Sequence, residues 1–187
     1  MTTRTGLALD DFLTQAETEP ASEYACGKVN QKPMPTRAHA RLQTYLVTVL
    51  FPFLVRTRLG QVFTEWRCIF GPAGEERAFV PDLVFVSPAR LPAGDDREAP
   101  FLRTAPDLAI EILSPQQPVR PFLDKILFYL LHGVRLVWVV DPEAEVVLVL
   151  RPGEDAVTLS ADDQLNGDDL LPGFSLALRD LFAQLRG

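Results

Sequence analysis

Two short runs constrain this chain more than anything else in it: "DLAIEIL" at residues 107–113 and "RLVWVVD" at 135–141. Both are apolar at nearly every position and too short for a core helix, the signature of buried strands. Between them, "PFLDKILFYLLH" at 121–132 has the length of a helix and stops at Gly133, a favourable C-terminal residue. One residue contradicts its surroundings. Glu111 sits amid Ile110, Ile112 and Leu113, and a carboxylate in a buried strand is costly unless paired, protonated or metal-bound.

The rest of the chain fits around these elements. A short helix is predicted over 7–19 and a hairpin over 22–33, turning near Gly27. A long amphipathic helix is predicted from Thr36 to Leu59, with a stripe of Leu42, Leu46, Val49 and Phe53 and a kink at Pro52. "QVFTEWRCIF" (61–70) and "FVPDLVFVS" (79–87) each read as one strand, and 89–106 as a loop. Residues 145–160 read as a hairpin around Pro152 and Gly153, and the tail ends in a short helix. Strands and helices alternate only in part, which predicts an α/β or α+β mixed sheet flanked by helices. The length, 187 residues, suits a single domain over 1–187.

Charge and cysteine content narrow the function classes. Against 25 acidic side chains stand 18 Lys and Arg, a net charge of -7, which argues against a broad electrostatic grip on nucleic acid. It leaves room for a small acidic site acting on a phosphodiester through cations. Cys26 and Cys68 make neither a disulfide framework nor a metal knuckle, and with no signal peptide or bilayer-length apolar run a cytoplasmic protein is expected.

Asp82 in "FVPDLVFV" is a second acid in an apolar run, 29 residues before Glu111. That is the length of a strand, a loop and a return strand, so neighbouring strands could bring both carboxylates to one spot. Paired acids in a dry site repel, and a divalent cation relieves the repulsion; Mg²⁺ suits hard oxygen ligands and few protein carboxylates. Lys125, 14 residues beyond Glu111, is otherwise isolated, and on its helix it shares a side with Tyr129 and His132. Glu111 and Lys125 could equally form a buried structural ion pair. His39 reads as a helix-surface or first-turn residue, His132 as a helix C-terminal one, and Trp66 and Trp138 as core. Glu65 is assigned no side.

The runs "VPDLVFVSPARL", "APDLAIEILSP", "DKILFYLLHGVRLVWVVDPE" and "LPGFSLALRDLF" together resemble the Uma-two endonuclease family, a branch of the PD-(D/E)XK nuclease superfamily. The likeness extends over nearly the whole chain. It implies a restriction-endonuclease-like fold, with a mixed central β-sheet between helices, and an Mg²⁺-dependent endonuclease site for which Mn²⁺ could substitute. By the resemblance, Asp82 and Glu111 would ligate the metal together with the backbone carbonyl of Ile112. Glu23 would be an upstream acid. The superfamily's Lys, two residues after the Glu, is replaced here by Leu113, and Lys125 on the next helix would take its place. DNA would be the substrate, cleaved to a 5′-phosphate and a 3′-hydroxyl.

A second class stays open: an interaction module that kept the fold without the activity. The helix at 121–132 carries Phe122, Leu123, Ile126, Leu127, Phe128, Leu130 and Leu131, apolar nearly all round, and such a helix is covered on every side. Either the long N-terminal helix or a second subunit could supply the cover, and a homo-oligomer is expected.

Overall fold

The computed structural model describes residues 6–91, 98–115 and 117–186. Its spine is a six-stranded sheet in the order β10-β9-β8-β7-β6-β3, where β3 is Gln61–Thr64, β6 Leu83–Val86, β7 Leu108–Ile112, β8 Leu136–Asp141, β9 Val146–Leu150 and β10 Val157–Leu159. Only β7 and β8 are parallel; the other pairs are antiparallel. Their connection is helix α3, Val119–Leu131, since parallel neighbours need a crossover.

The strands of the 107–113 and 135–141 runs lie side by side at the centre, and each is covered on both faces. Leu108, Ile110 and Ile112 of β7 join Leu136, Trp138 and Val140 of β8 in a core with helix α2, Arg37–Thr57, and helix α4, Leu178–Ala183. Ala109, Val137 and Val139 point the other way, into a second core under Ile126, Phe128 and Tyr129 of α3. The period-2 alternation of a strand thus assigns Glu111 to the α3 side. Val84 and Val86 of β6 belong to that same core, and by the same alternation so does Asp82.

A smaller sheet, β2-β1-β5-β4, is built from β1 (Ser22–Ala25), β2 (Lys28–Gln31), β4 (Cys68–Phe70) and β5 (Arg77–Phe79). β1 and β2 turn through Cys26 (φ 52°) and Gly27 (φ 79°), both left-handed, as a tight hairpin requires. A short helix, α1 (Leu9–Leu13), packs Phe12 on Tyr24.

Several elements differ from the sequence reading. The expected strand 61–70 is two strands in two sheets, β3 and β4, broken where Glu65 turns left-handed (φ 50°). The expected strand 79–87 divides in the same way at Pro81 and Asp82, between β5 and β6. Helix α1 covers five residues, not 7–19. In α2 the buried row is Leu42, Leu46, Leu50, Phe53 and Leu54, with Val49 only partly covered. A further hairpin, β11 (Gln164–Gly167) with β12 (Leu171–Ala177), precedes α4; polar Gln164, Asn166 and Ser175 hid it. Part of the expected loop, residues 92–97, lies outside the described residues. Among the described residues no helix is long and apolar enough to cross a membrane.

Candidate active site

The splitting of residues 79–87 matters for the site, because it places Asp82 at the mouth of β6. In the β6–β7 ladder Leu83 faces Ile110 and Val84 faces Ala109; one further step sets Asp82 opposite Glu111. The two acids are 2% exposed each. Ile112 N–H donates to Asp82 Oδ2 at 2.7 Å, tying the end of β7 to this carboxylate. Ile112 therefore meets Asp82 through its amide nitrogen.

Each carboxylate has its own cations and donors. Asp82 Oδ1 accepts from Lys32 Nζ at 2.7 Å, and Oδ2 from His39 Nε2 at 3.0 Å. Lys32 also donates to Val80 O at 2.8 Å, and Gln43 Nε2 to Asp82 O at 2.9 Å. Burial alone would push the Asp82 carboxyl up; the His39 hydrogen bond and the Lys32 charge outweigh it and hold the group well below the carboxylate range. Glu111 Oε1 accepts from Lys125 Nζ at 2.8 Å and from Tyr129 Oη at 2.8 Å. Here burial wins: helped by the charges of Asp82 and Glu23 and opposed by Lys125, it pushes Glu111 up to about 7.

Glu23 comes from the smaller sheet. Its Oε1 accepts from Lys125 Nζ at 2.7 Å and from Val80 N–H at 2.9 Å. Lys125 thus bridges Glu23 and Glu111. Burial disfavours its charge, but the two carboxylates prevail and raise its pKa. Tyr129 is raised as well, by burial and then by Glu111, so it stays a hydrogen-bond donor.

The four residues singled out in the sequence therefore converge: Asp82, Glu111, Lys125 and Glu23. The surroundings were missed. His39 does lie in the first turn of α2, as one of its two readings had it, but it is no surface residue: it is 5% exposed and fixed on Asp82, with Nδ1 buried and unpartnered. Lys32, just past β2, carries no local sequence signal that would mark it. A signal for His39 and Gln43 did exist, since their i, i+4 spacing lies beside the Leu42–Leu46 stripe. Of the expected trio on α3, Tyr129 joins Lys125, whereas His132 packs at a tilt on Phe128 with centroids 4.1 Å apart. His132 is the residue that terminates α3, as expected.

These groups line a cleft of about 950 Å³ between the hairpin β1–β2, the junction at Asp82 and helix α3. Among the described residues no group of three or more His, Cys, Asp and Glu side chains is arranged to hold a metal. A cation here would rest on two carboxylates, with backbone oxygen and water completing its shell. That donor set fits Mg²⁺, which keeps several waters and takes one or two carboxylates. The charge balance fits too: Glu23, Asp82 and Glu111 face two ammonium groups, Lys32 and Lys125.

A mixed sheet with helices on both faces and buried acids at the ends of two adjacent strands is the restriction-endonuclease-like fold. The sequence matches the Uma2 family, described as "putative restriction endonuclease", over residues 9–179. The chain belongs to that family. It is similar to a solved structure from Anabaena variabilis ATCC 29413, titled a putative nuclease belonging to DUF820, with a TM-score of 0.87 and 36% identity over 96% of this chain and 99% of that one. No curated protein matches it.

Proposed function

We propose that this protein is an Mg²⁺-dependent endonuclease that hydrolyses phosphodiester bonds in DNA. The observation that carries the reading is the convergence of Asp82, Glu111, Glu23 and Lys125 in one cleft. Membership of a nuclease-like family supports it. Asp82 and Glu111 would hold the cation, with the Ile112 carbonyl as a further oxygen ligand; Mn²⁺ could substitute. When bound, the metal supplies Lewis acidity and charge neutralisation at a phosphate oxygen.

The chain's own residues supply the rest. Lys125, held charged between two acids, offers a fixed cation to charge developing on the phosphate, which a preorganised site does without reorganisation. Tyr129 and Lys125 fix Glu111 Oε1, and His39 with Ile112 N–H fixes Asp82 Oδ2. Both carboxylates are thus positioned before substrate arrives. The test is supercoiled plasmid with Mg²⁺ or Mn²⁺, wild type beside Asp82→Asn. Nicking is expected from wild type and a loss of about 10²-fold or more from the variant; cleavage that survives the substitution sinks the reading.

One observation favours a second reading, a weak or inactive nuclease fold acting through a subunit interface. Val119, Leu123, Leu127 and Leu131 form an exposed stripe along α3, each between 52% and 75% exposed. The stripe reaches the cleft, which Leu127 and Leu131 also line, so a homo-oligomer formed on it would border the site.

A further inference from the structure

The cleft raises an electrostatic difficulty. Its catalytic end gathers three carboxylates against two ammonium groups, and the whole chain carries -7. A DNA strand entering it brings more negative charge. Some cation not already committed to a carboxylate must meet the phosphates.

Lys32 and Lys125 are committed. Arg67 is paired with Glu17, and Arg90 is spent on Asp107 and on the backbone oxygens of Ala105, Pro106 and Gly133. Arg77 is different. It lines the cleft, its side chain forms no ion pair among the described residues, and its buried Nε has no hydrogen-bond partner. Its guanidinium lies over the Phe128 ring, 4.1 Å from the centroid. Stacking fixes the plane of an Arg and leaves its edge for bidentate contact with an oxyanion.

Position follows from register. Arg77 and Phe79 alternate onto one face of β5. Phe79 lies beneath Lys125, whose Nζ is 5.7 Å from its ring centroid, and Phe128 packs on Phe79 at 5.7 Å. Arg77 is one two-residue step along β5 from the floor of the catalytic cluster, roughly 7 Å at the rise of a strand. The step displaces Arg77 along the cleft from a group held at Lys125, towards where a flanking phosphate of the same strand would lie.

We infer that Arg77 is a substrate-binding residue that takes a backbone phosphate flanking the scissile one, with Phe128 as its platform. The inference rests on the nuclease reading and goes beyond it by naming where the strand runs: from the Lys125 cluster along β5 towards Arg77.

The test is binding of a fluorescein-labelled duplex in Ca²⁺, followed by anisotropy over a series of KCl concentrations. One phosphate contact changes the slope of log K against log salt by about 1. Arg77→Gln is expected to flatten the slope by that amount and weaken binding several-fold at low salt. Arg77→Lys should keep the slope, because the charge remains, while losing part of the affinity with the fork. Weaker binding of Arg77→Gln at an unchanged slope would reveal a packing role on Phe128 and overturn the inference. If Arg77→Gln does not fold, Arg77→Lys decides: wild-type affinity overturns the assignment of a bidentate contact. Wild type that cuts plasmid while Arg77→Gln keeps the wild-type slope removes the inference alone. Wild type that neither binds nor cuts removes the nuclease reading with it.

Discussion

At the scale of single residues, the site depends on two carboxylates pushed in opposite directions. Asp82 is held low by His39 and Lys32, and Glu111 is held high by burial. The consequence for stability has a definite sign. Glu111 keeps its proton in the folded protein up to about 7 but loses it near 4.5 when unfolded. Its contribution is therefore fully present below about pH 4.5 and lost as pH rises through 7. Asp82 acts in reverse: its contribution is present above the ordinary carboxylate range and lost in acid. Urea unfolding in EDTA should show wild type losing stability between pH 5 and pH 8 relative to Glu111→Gln, by up to roughly 3 kcal/mol. Equal pH profiles would mean Glu111 is ionised throughout. Tyr129→Phe removes one donor from a buried carboxylate and should cost about 1–3 kcal/mol in the same assay.

At the scale of elements, the hairpin β1–β2 is more than an edge. It carries Glu23, and Lys32 follows it directly, so the shape of its turn positions two charged groups on the site. Gly27 has φ 79°, and a Cβ there would lie 3.1 Å from Gly6 Cα. Gly27→Val should lower stability by about 1–3 kcal/mol and reduce plasmid nicking further than stability alone accounts for; nicking in step with the folded fraction would limit the turn to a scaffold role. Helix α2 anchors the opposite core through Leu46, which is fully buried. Leu46→Ala should cost about 2–5 kcal/mol by thermal or urea unfolding. Helix α3 does two tasks on two faces, Lys125 and Tyr129 inward and the Val119–Leu131 stripe outward.

For the molecule as a whole, that outward stripe bears on assembly. Leu123→Glu with Leu127→Glu should shift the mass seen by light scattering toward the monomer if the stripe is an interface, and leave it unchanged if it is not. Much of this architecture was legible beforehand. The apolar runs at 107–113 and 135–141, the helix between them and the acids at 82 and 111 followed from local pattern, because a residue that violates its surroundings needs a compensating partner wherever it lies. The division of residues 61–70 and 79–87 between two sheets was only partly legible: Pro81 marks a break in the second run, but nothing local marks the left-handed turn at Glu65, and which sheet each half joins is set by packing against two different neighbours. The break at Pro81 and Asp82 brings Lys32, His39 and Gln43 to Asp82 from 50, 43 and 39 residues away. The sequence alone determined which strands would be buried and which acids would be costly there. Tertiary structure decided which charges answer them and which face of α3 stays open, because ion pairs and burial depend on proximity in space, which local periodicity does not encode.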